Sequence, residues 1–410
     1  MRSRSLWIKA LSIATLFIAI VTGFAAGQKA EYSQGVTDTS IKIGVFGPFS
    51  GNAAVYSKAQ HMTLAILKNV SEKGGINGRK LEMIEADDAC DATTLQGIIR
   101  KFFFQDKVFF IYGGSCSNAI VAAKDLIERN GQPVLTANAA SGLITDPPLK
   151  NLFQPKPTTA EQGLAVAKFI KSNPNAKRIA VVGQSDEIGQ SHIKATLTGL
   201  QRVGLDVVAN EQIAPDAGDA TPQVRKVLAA NADTLVVAAY PQPMSVFLRD
   251  AAKQGLTIPI VTSDVARPDE QFERLRQRDP VKNMFSATNL VKPVADPSFT
   301  KYRDLLAKYY PNDKFDAVAL EGAIYGDLIT ELLKRMGDNL TWDNWIKTIE
   351  SPQGFETAVG GPMRFLPFEK GNPSTRRAAK DMAFQVLDPT KTYATIATVK
   401  DWSDWLKIRR

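Results

Sequence analysis

Residues that bind metals or act as acid–base catalysts are scarce in this sequence. Two cysteines and two histidines occur among its 410 residues. His61 and His192 lack the spacing to the cysteines that metal sites show, so no metal site is predicted. Both histidines are typical of ordinary helix positions. This scarcity argues against a metalloprotein.

Glycine motifs of catalytic and nucleotide-binding sites are also missing. Gly114-Ser115-Cys116-Ser117 resembles a nucleophile turn, but it lacks the closing glycine of G-x-S-x-G. Neither histidine is placed to act as a base for it. The segment from Gly47 to Gly51 does not form G-x-G-x-x-G. We therefore expect neither enzyme activity nor a cofactor.

Basic residues form no stripe or cluster. Fifty lysines and arginines against 42 acids give a formal charge of +8, and three of the positive charges lie in an N-terminal segment whose removal leaves +5. A mild excess spread along the chain gives little support for nucleic-acid binding. No nucleic-acid partner is predicted.

Long apolar runs are missing after the N-terminus. Residues 1–27 combine a basic start, the apolar run Ala10 to Phe24 and the small residues Ala25-Ala26-Gly27, as a cleaved signal peptide does. The apolar run is shorter than the roughly 20 residues that span a bilayer, which argues against the alternative of a membrane anchor. No cysteine follows that would anchor a lipoprotein. We expect a soluble exported protein in an oxidising compartment.

The two cysteines each follow an apolar run that is typical of a strand. Cys90 and Cys116 therefore lie where an α/β sheet presents its ligand-facing edge. In an oxidising compartment they can pair and close a loop of about 25 residues, which stabilises the fold by roughly 3 kcal/mol on the loop-entropy model. Two unpaired buried thiols are the alternative.

From Ile41 onward, short apolar strands alternate with helical stretches, the pattern of a doubly wound parallel sheet. The alternation restarts after Gln154-Pro155-Lys156-Pro157, which indicates two lobes. The remaining segment is too short for a third lobe, so we expect it to return to the first lobe and then to the second. The predicted lobes are discontinuous: residues 36–155 with 286–362, and residues 158–284 with 363–400.

An ordered series of motifs resembles the leucine/isoleucine/valine-binding family of periplasmic substrate-binding proteins for ABC transporters. The matching segments are Ile41-Lys42-Ile43-Gly44, Gly47-Pro48-Phe49-Ser50-Gly51, Lys73-Gly74-Gly75-Ile76-Asn77-Gly78-Arg79-Lys80, Asp87-Asp88-Ala89-Cys90-Asp91 and Gly361-Pro362. The resemblance implies an α/β type I periplasmic binding protein fold, with two doubly wound parallel-sheet lobes joined by a multi-strand hinge. It also implies a Cys90–Cys116 disulfide, a periplasmic location, membrane permease subunits as partners, and no catalysis.

Several first-lobe residues are predicted to bind the ligand. Ser117 opens a helix whose N-terminal backbone N–H groups favour an anion, and similar proteins place this serine on the ligand carboxylate. A plain helix cap is its alternative role. The loop with Asn138, Ala139 and Ala140 is implied to join it. Tyr56 matches an aromatic residue that lines the side-chain pocket, with burial in the lobe core as the alternative.

Tyr240 and Asp264 follow strands of the second lobe and are predicted to face the same cleft. In amino-acid-binding members an acid at the position of Asp264 receives the ligand ammonium; a solvated loop aspartate is the alternative. Three positions depart from the family. Ala140 stands where threonine is common, Ile188 where tyrosine is expected, and Asp264 where the longer glutamate is expected.

The resulting hypothesis is a solute-binding component of an ABC importer that holds a small amino acid or related carboxylate between two closing lobes. Because the departures make the pocket more apolar, an aromatic carboxylate in the same transport role is an alternative ligand. A ligand-sensing module for a membrane receptor is the alternative function.

Overall fold

The computed structural model describes residues 32–51, 53–378, 382–391 and 396–408, without the side chains of residues 187 and 188. The predicted signal peptide, residues 1–27, lies outside the described residues. Within those ranges, every helix is too short or too polar to cross a membrane.

Strands and helices alternate along most of the described chain. The strands are β1 Ser40–Gly47, β2 Lys80–Asp87, β3 Phe110–Gly113, β4 Val134–Thr136, β5 Leu152–Phe153, β6 Ile179–Gln184, β7 Val207–Ile213, β8 Thr234–Ala238, β9 Ile260–Thr262, β10 Met284–Thr288, β11 Phe355–Thr357, β12 Gly361–Met363, β13 Ala383–Leu387 and β14 Ile396–Val399. The helices are α1 Ser57–Glu72, α2 Ala92–Phe104, α3 Ser117–Asn130, α4 Thr159–Ser172, α5 Glu187–Arg202, α6 Thr221–Ala229, α7 Pro241–Lys253, α8 Pro268–Leu275, α9 Thr300–Tyr309, α10 Ala317–Met336, α11 Trp342–Ile349 and α12 Trp402–Ile408.

The first lobe is built on a parallel sheet with the strand order β2-β1-β3-β4-β5 among the described residues. Val45 in β1 pairs with Glu85 of β2 on one side and with Tyr112 of β3 on the other. Helices cover both faces, with α1, α9, α10 and α11 on one side and α2 and α3 on the other. Strands buried on both faces are the reason for the nearly continuous apolar runs in the sequence.

The second lobe has the strand order β14-β13-β10-β9-β8-β6-β7 over the described ranges. Its strands from β10 to β7 are parallel, whereas β13 and β14 run antiparallel to their neighbours. The short connection between β13 and β14 leaves no room for a crossover helix, which explains the antiparallel pair. The predicted α/β fold with two doubly wound lobes is confirmed, with this antiparallel edge as an addition.

The chain passes between the two sheets after β5, after β10 and before β13. The predicted lobe limits stay a prediction. In the structure, the positions of two of the chain crossings follow from strand pairing and from core packing. β10 includes residues 286–288 and pairs with β9, which places the second crossing after Thr288. Phe365 and Ala378 lie in the core of the first lobe, which places the third crossing after them.

Helix α10 packs closely on α1 in the first lobe. At Gly322 a Cβ atom would lie 2.0 Å from the backbone oxygen of Ala59, so a side chain there would force the helices apart. The Thr63 hydroxyl donates to the Gly322 carbonyl oxygen at 2.8 Å. The residue beside this contact, Glu321, is therefore held on a rigid helix that faces the other lobe.

Candidate functional site

The cleft lies where the carboxyl ends of β3 and β4 in one lobe meet those of β8 and β9 in the other. This is the edge at which open α/β sheets bind ligands. Every predicted site residue follows a strand end or begins a helix at this edge, apart from Tyr56, which ends the 3-10 turn Ala54–Tyr56 before α1. The side chain of Ile188 lies outside the described residues.

The first-lobe wall is the start of α3. Ser117 is the first residue of this helix, and the capping residue Cys116 places no side-chain cap on it. The Ser117 hydroxyl accepts a hydrogen bond from the backbone N–H of Ser141 at 3.2 Å. An uncapped helix start leaves backbone N–H groups and the positive end of the helix dipole available to an anion.

A disulfide between Cys90 and Cys116 holds this turn, with 5.3 Å between the two Cα atoms. Ala89 and Cys90 adopt positive φ angles of 44° and 60°, in the left-handed region that non-glycine residues seldom enter. The bridge thus ties the loop after β2 to the turn before α3. The predicted disulfide is present.

The loop after β4 contributes backbone groups that are largely engaged within the chain. The Ala139 carbonyl oxygen accepts from the Gln154 amide at 2.9 Å, and the Ala140 carbonyl oxygen accepts from the Thr159 N–H at 2.9 Å. The buried Oδ1 of Asn138 has no hydrogen-bond partner among the described residues. Asn138 therefore has an acceptor free for a ligand or a water molecule.

Ser141 directly follows Ala140 and carries the hydroxyl that Ala140 lacks. Its Oγ accepts from the N–H of Leu143 at 3.3 Å and caps the short turn Gly142–Ile144. The hydroxyl therefore has a local structural role, although its proton is still available to donate.

Two tyrosines meet across the cleft. The phenol of Tyr56, from the first lobe, lies close enough to the phenol of Tyr240, from the second lobe, for the two groups to influence each other's pKa. Burial raises the pKa of Tyr56 and of Tyr240, so both phenols stay neutral and can donate or accept. The backbone N–H of Tyr240 donates to Gln184 Oε1 at 3.1 Å, which fixes the start of α7.

Beside Tyr240 lies a small cavity of about 10 Å³, lined in part by Gln184, His192 and Val265. This volume is close to the smallest that holds one water molecule. His192 Nδ1 lies 3.2 Å from the Ser263 hydroxyl. Burial lowers the pKa of His192, so this wall carries a neutral imidazole.

Asp264 is ion-paired within the chain. Its Oδ2 lies 2.6 Å from the Nζ of Lys156. The same ammonium lies 3.1 and 3.0 Å from the two carboxylate oxygens of Glu321. The three side chains are 10%, 15% and 10% exposed for Lys156, Asp264 and Glu321, so the cluster is largely removed from water. We call these three residues the ion triple.

Electrostatics keep Lys156 and Asp264 charged. Burial alone would lower the pKa of Lys156, but the carboxylates of Asp264 and Glu321 outweigh it and raise that pKa. Burial would also raise the pKa of Asp264, but the Lys156 ammonium lowers it below its usual range. Each charge is therefore stable because of its partner.

The predicted role of Asp264 as the ammonium acceptor stays a prediction, and its partner in this structure is Lys156. The sequence reasoning missed both Lys156 and Glu321. Lys156 lies between Pro155 and Pro157, whose rings restrict the backbone on both sides. Glu321 is the one charged residue of α10 between Ala317 and Gly326. A lone charge in an apolar helix was the signal available.

The arrangement as a whole defines a class of protein: two α/β lobes, three chain crossings, and polar groups of both lobes facing one cleft. The family model described as "Periplasmic binding protein" matches residues 40–392. The chain therefore belongs to the periplasmic binding protein family, and the resemblance predicted from the sequence is confirmed.

In the part of the chain that the structure describes, no group of histidine, cysteine or acidic side chains could hold a metal ion.

Curated relatives are similar over part of their length. An amino acid binding protein of Pseudomonas aeruginosa is 26% identical over 231 residues, which is 56% of this chain and 62% of that protein. The Leu/Ile/Val-binding protein of Escherichia coli K12 is 28% identical over 218 residues, 53% of this chain and 59% of that protein. The matched stretch thus spans about three fifths of these relatives.

Solved structures match almost from end to end. A putative branched-chain amino acid ABC transporter from Rhodospirillum rubrum has a TM-score of 0.72 at 20% identity, covering 87% of this chain and 99% of that one. A solute-binding protein from R. palustris, complexed with 4-hydroxybenzoate, has a TM-score of 0.66 at 18% identity, covering 90% of this chain and 100% of that one. A branched-chain amino acid binding protein from Streptococcus pneumoniae, complexed with isoleucine, has a TM-score of 0.67 at 18% identity, covering 88% and 100%. These likenesses show the fold.

Proposed function

We propose that this protein is the periplasmic solute-binding component of an ABC importer and that it binds a small carboxylate-bearing solute, an amino acid or a related acid, between its lobes. One observation carries the proposal: the uncapped start of α3 faces a cleft whose opposite wall belongs to the other lobe. A ligand anion at this helix start would contact both lobes and favour their closure.

The comparisons support a binding role and leave the ligand class broad. The relatives include proteins named for branched-chain amino acids and one complexed with an aromatic acid. These ligands share a carboxylate, which is the group that the start of α3 is suited to hold. Membership of the periplasmic binding protein family supports periplasmic location and a membrane permease as the partner.

A thermal-shift screen of the purified exported protein tests the proposal. Aliphatic amino acids, aromatic amino acids and aromatic carboxylates form the panel. A ligand at a hundred times its dissociation constant stabilises the folded state by about 2.7 kcal/mol, which raises Tm by several degrees. Failure of the whole panel to raise Tm would contradict the proposal.

Ser117→Ala tests the position of the carboxylate. Loss of a hydrogen bond to a charged group should weaken ligand binding by about 1 to 3 kcal/mol in isothermal calorimetry. The matched control is Ser374→Ala, which changes an exposed serine in the 3-10 turn Pro373–Arg376. Equal affinities for the two variants would place the carboxylate elsewhere.

A further inference from the structure

The ion triple includes Asp264, the residue that the sequence predicts as the acceptor of a ligand ammonium, and pairs it with Lys156. Lys156 Nζ lies within 3.1 Å of three carboxylate oxygens, from Asp264 and Glu321. We propose that Lys156 substitutes for the ammonium group of an amino-acid ligand, and that the protein therefore selects carboxylates that lack an α-amine. This inference rests on the proposed function and narrows its ligand class.

The occupation of the Asp264 carboxylate is the first argument. The Asp264 carboxylate can neutralise one buried cation, and the Lys156 ammonium already occupies that position at 2.6 Å from Oδ2. A ligand ammonium at the same carboxylate would lie beside the Lys156 ammonium in a region of low dielectric, where repulsion between like charges is strong. A ligand without the amine avoids this repulsion and leaves no buried cation without a partner.

Lys156 is also held where it is. Prolines on both sides restrict its backbone, and its side chain is 10% exposed. Glu321 binds the ammonium through both carboxylate oxygens from α10, which packs tightly on α1 at Gly322. To reach Asp264, a ligand amine would have to displace the Lys156 ammonium, which both Asp264 and Glu321 hold in place.

A second cation reinforces the selection. Arg267 lies at the start of α8 in the second lobe, and its guanidinium interacts with the charge of Glu321. Its buried Nε makes no hydrogen bond within the described residues, and its nearest carboxylates, Asp269 and Glu270, are 3.8 and 3.7 Å away. A ligand ammonium at Asp264 would therefore lie near a second buried cation as well as near Lys156.

Calorimetric titration with matched ligand pairs tests the inference. Leucine is compared with 4-methylpentanoate, and phenylalanine with 3-phenylpropanoate, because the members of each pair differ in the amine alone. We expect the amine-free acid of at least one pair to bind at least tenfold more tightly than its amino acid. Tighter binding of the amino acids would overturn the inference and leave the proposed function intact.

Lys156→Met provides the converse test. The variant keeps an unbranched side chain one atom shorter than lysine and removes the charge, so Asp264 and Glu321 become free to receive a ligand ammonium. We expect the preference to reverse, with the amino acid of the pair binding at least tenfold more tightly than its amine-free partner. The matched control is Lys282→Met, whose lysine is 49% exposed and pairs with Asp279; it should keep the original preference.

Asp264→Asn covers the case in which Lys156→Met does not fold. This variant keeps Lys156 on Glu321 and removes the second-lobe acid, so the preference for the amine-free acid should persist or increase. A shift of this variant toward amino acids would overturn the inference. If no amine-free acid and no amino acid binds to the unmodified protein, the proposed function itself fails.

Discussion

Two basic side chains are buried near the lobe connections, and they have different kinds of partner. Arg376 is fully buried within the first lobe, 2.5 Å from Glu350, with its guanidinium over the rings of Phe153 and Phe368 at 4.6 and 5.1 Å. Lys156 instead has one partner in each lobe. Arg376 can keep its partner Glu350 when the two lobes move apart, because both residues lie in the first lobe. Lys156 must lose one of its two partners in that motion, because they lie in different lobes.

The difference separates a structural charge from a functional one. A buried ion pair is weak evidence for stability in itself, because desolvation offsets the attraction. Removal of one partner is nevertheless costly when the other charge stays buried. Arg376 should therefore report on the stability of the first lobe, and the ion triple on the contact between lobes.

The largest effect is expected for Glu350→Ala. This change leaves the guanidinium of Arg376 buried and unpaired, where burial already lowers its pKa. The free energy of unfolding in urea should fall by about 3 to 5 kcal/mol. Ligand affinity should not change, because Arg376 and Glu350 pair within the first lobe and neither is a predicted ligand-binding residue. A loss of less than about 1 kcal/mol would contradict a structural role for the pair.

Asp264→Asn should have a smaller effect on stability but a larger one on shape. Lys156 keeps Glu321, so the loss of one charged hydrogen bond should cost about 1 to 3 kcal/mol. The radius of gyration in small-angle X-ray scattering should increase, because the ionic link between lobes is broken. Asp279→Asn is the control, since it removes the charge of an exposed acid of the second lobe and leaves that link in place. An identical radius for both variants would show that the link does not hold the lobes together.

Acid should remove a similar amount of stability through Asp250, a buried carboxylate whose partners lie in the second lobe. Hydrogen bonds from Arg249 lower its pKa to about 2, against the opposing effect of burial. Because this pKa lies below the ordinary value, the stabilisation is complete above about pH 4 and is lost as the pH falls through about 2.

We expect that loss to be about 1 to 2 kcal/mol, since Arg249 is partly exposed to solvent. Unfolding free energies measured from pH 5 to pH 2 should converge for the unmodified protein and Asp250→Asn. Parallel curves would show that the pair does not contribute to acid sensitivity.

The smallest effect is expected for Lys282→Ala. Its ion pair with Asp279 spans 2.9 Å, but the two side chains are 49% and 84% exposed. Water and salt screen such a pair, so stability should change by less than about 0.5 kcal/mol. A larger change in urea unfolding would mean that burial does not separate the structural pairs from the exposed ones.

Much of the fold could be predicted because its signals are local. The apolar run from Ile41 to Phe46 predicts a strand, and the structure has Ser40–Gly47. The pattern from Val318 to Met336 predicts a helix, and the structure has Ala317–Met336. The sequence also predicts a helix from about Ala54, whereas α1 begins at Ser57, because Ala54–Tyr56 forms a 3-10 turn.

The site was predictable to the extent that topology determines it. Tyr240 and Asp264 could be placed at the cleft because parallel strands end at one edge of a sheet. The partner of Asp264 could not be predicted. Lys156 meets Glu321 across 165 positions of sequence, and the pairing depends on how two helices and a crossing segment pack in three dimensions.

The Cys90–Cys116 bridge also has a mechanical consequence. It closes a ring across a sequence separation of 26 that contains α2 and β3. A force applied to the chain ends passes through the bridge and cannot stretch the ring. At about 3.5 Å per residue, the fully extended oxidised chain is therefore about 90 Å shorter than the reduced chain. In single-molecule pulling, helix α2 would be an element that unfolds without adding length.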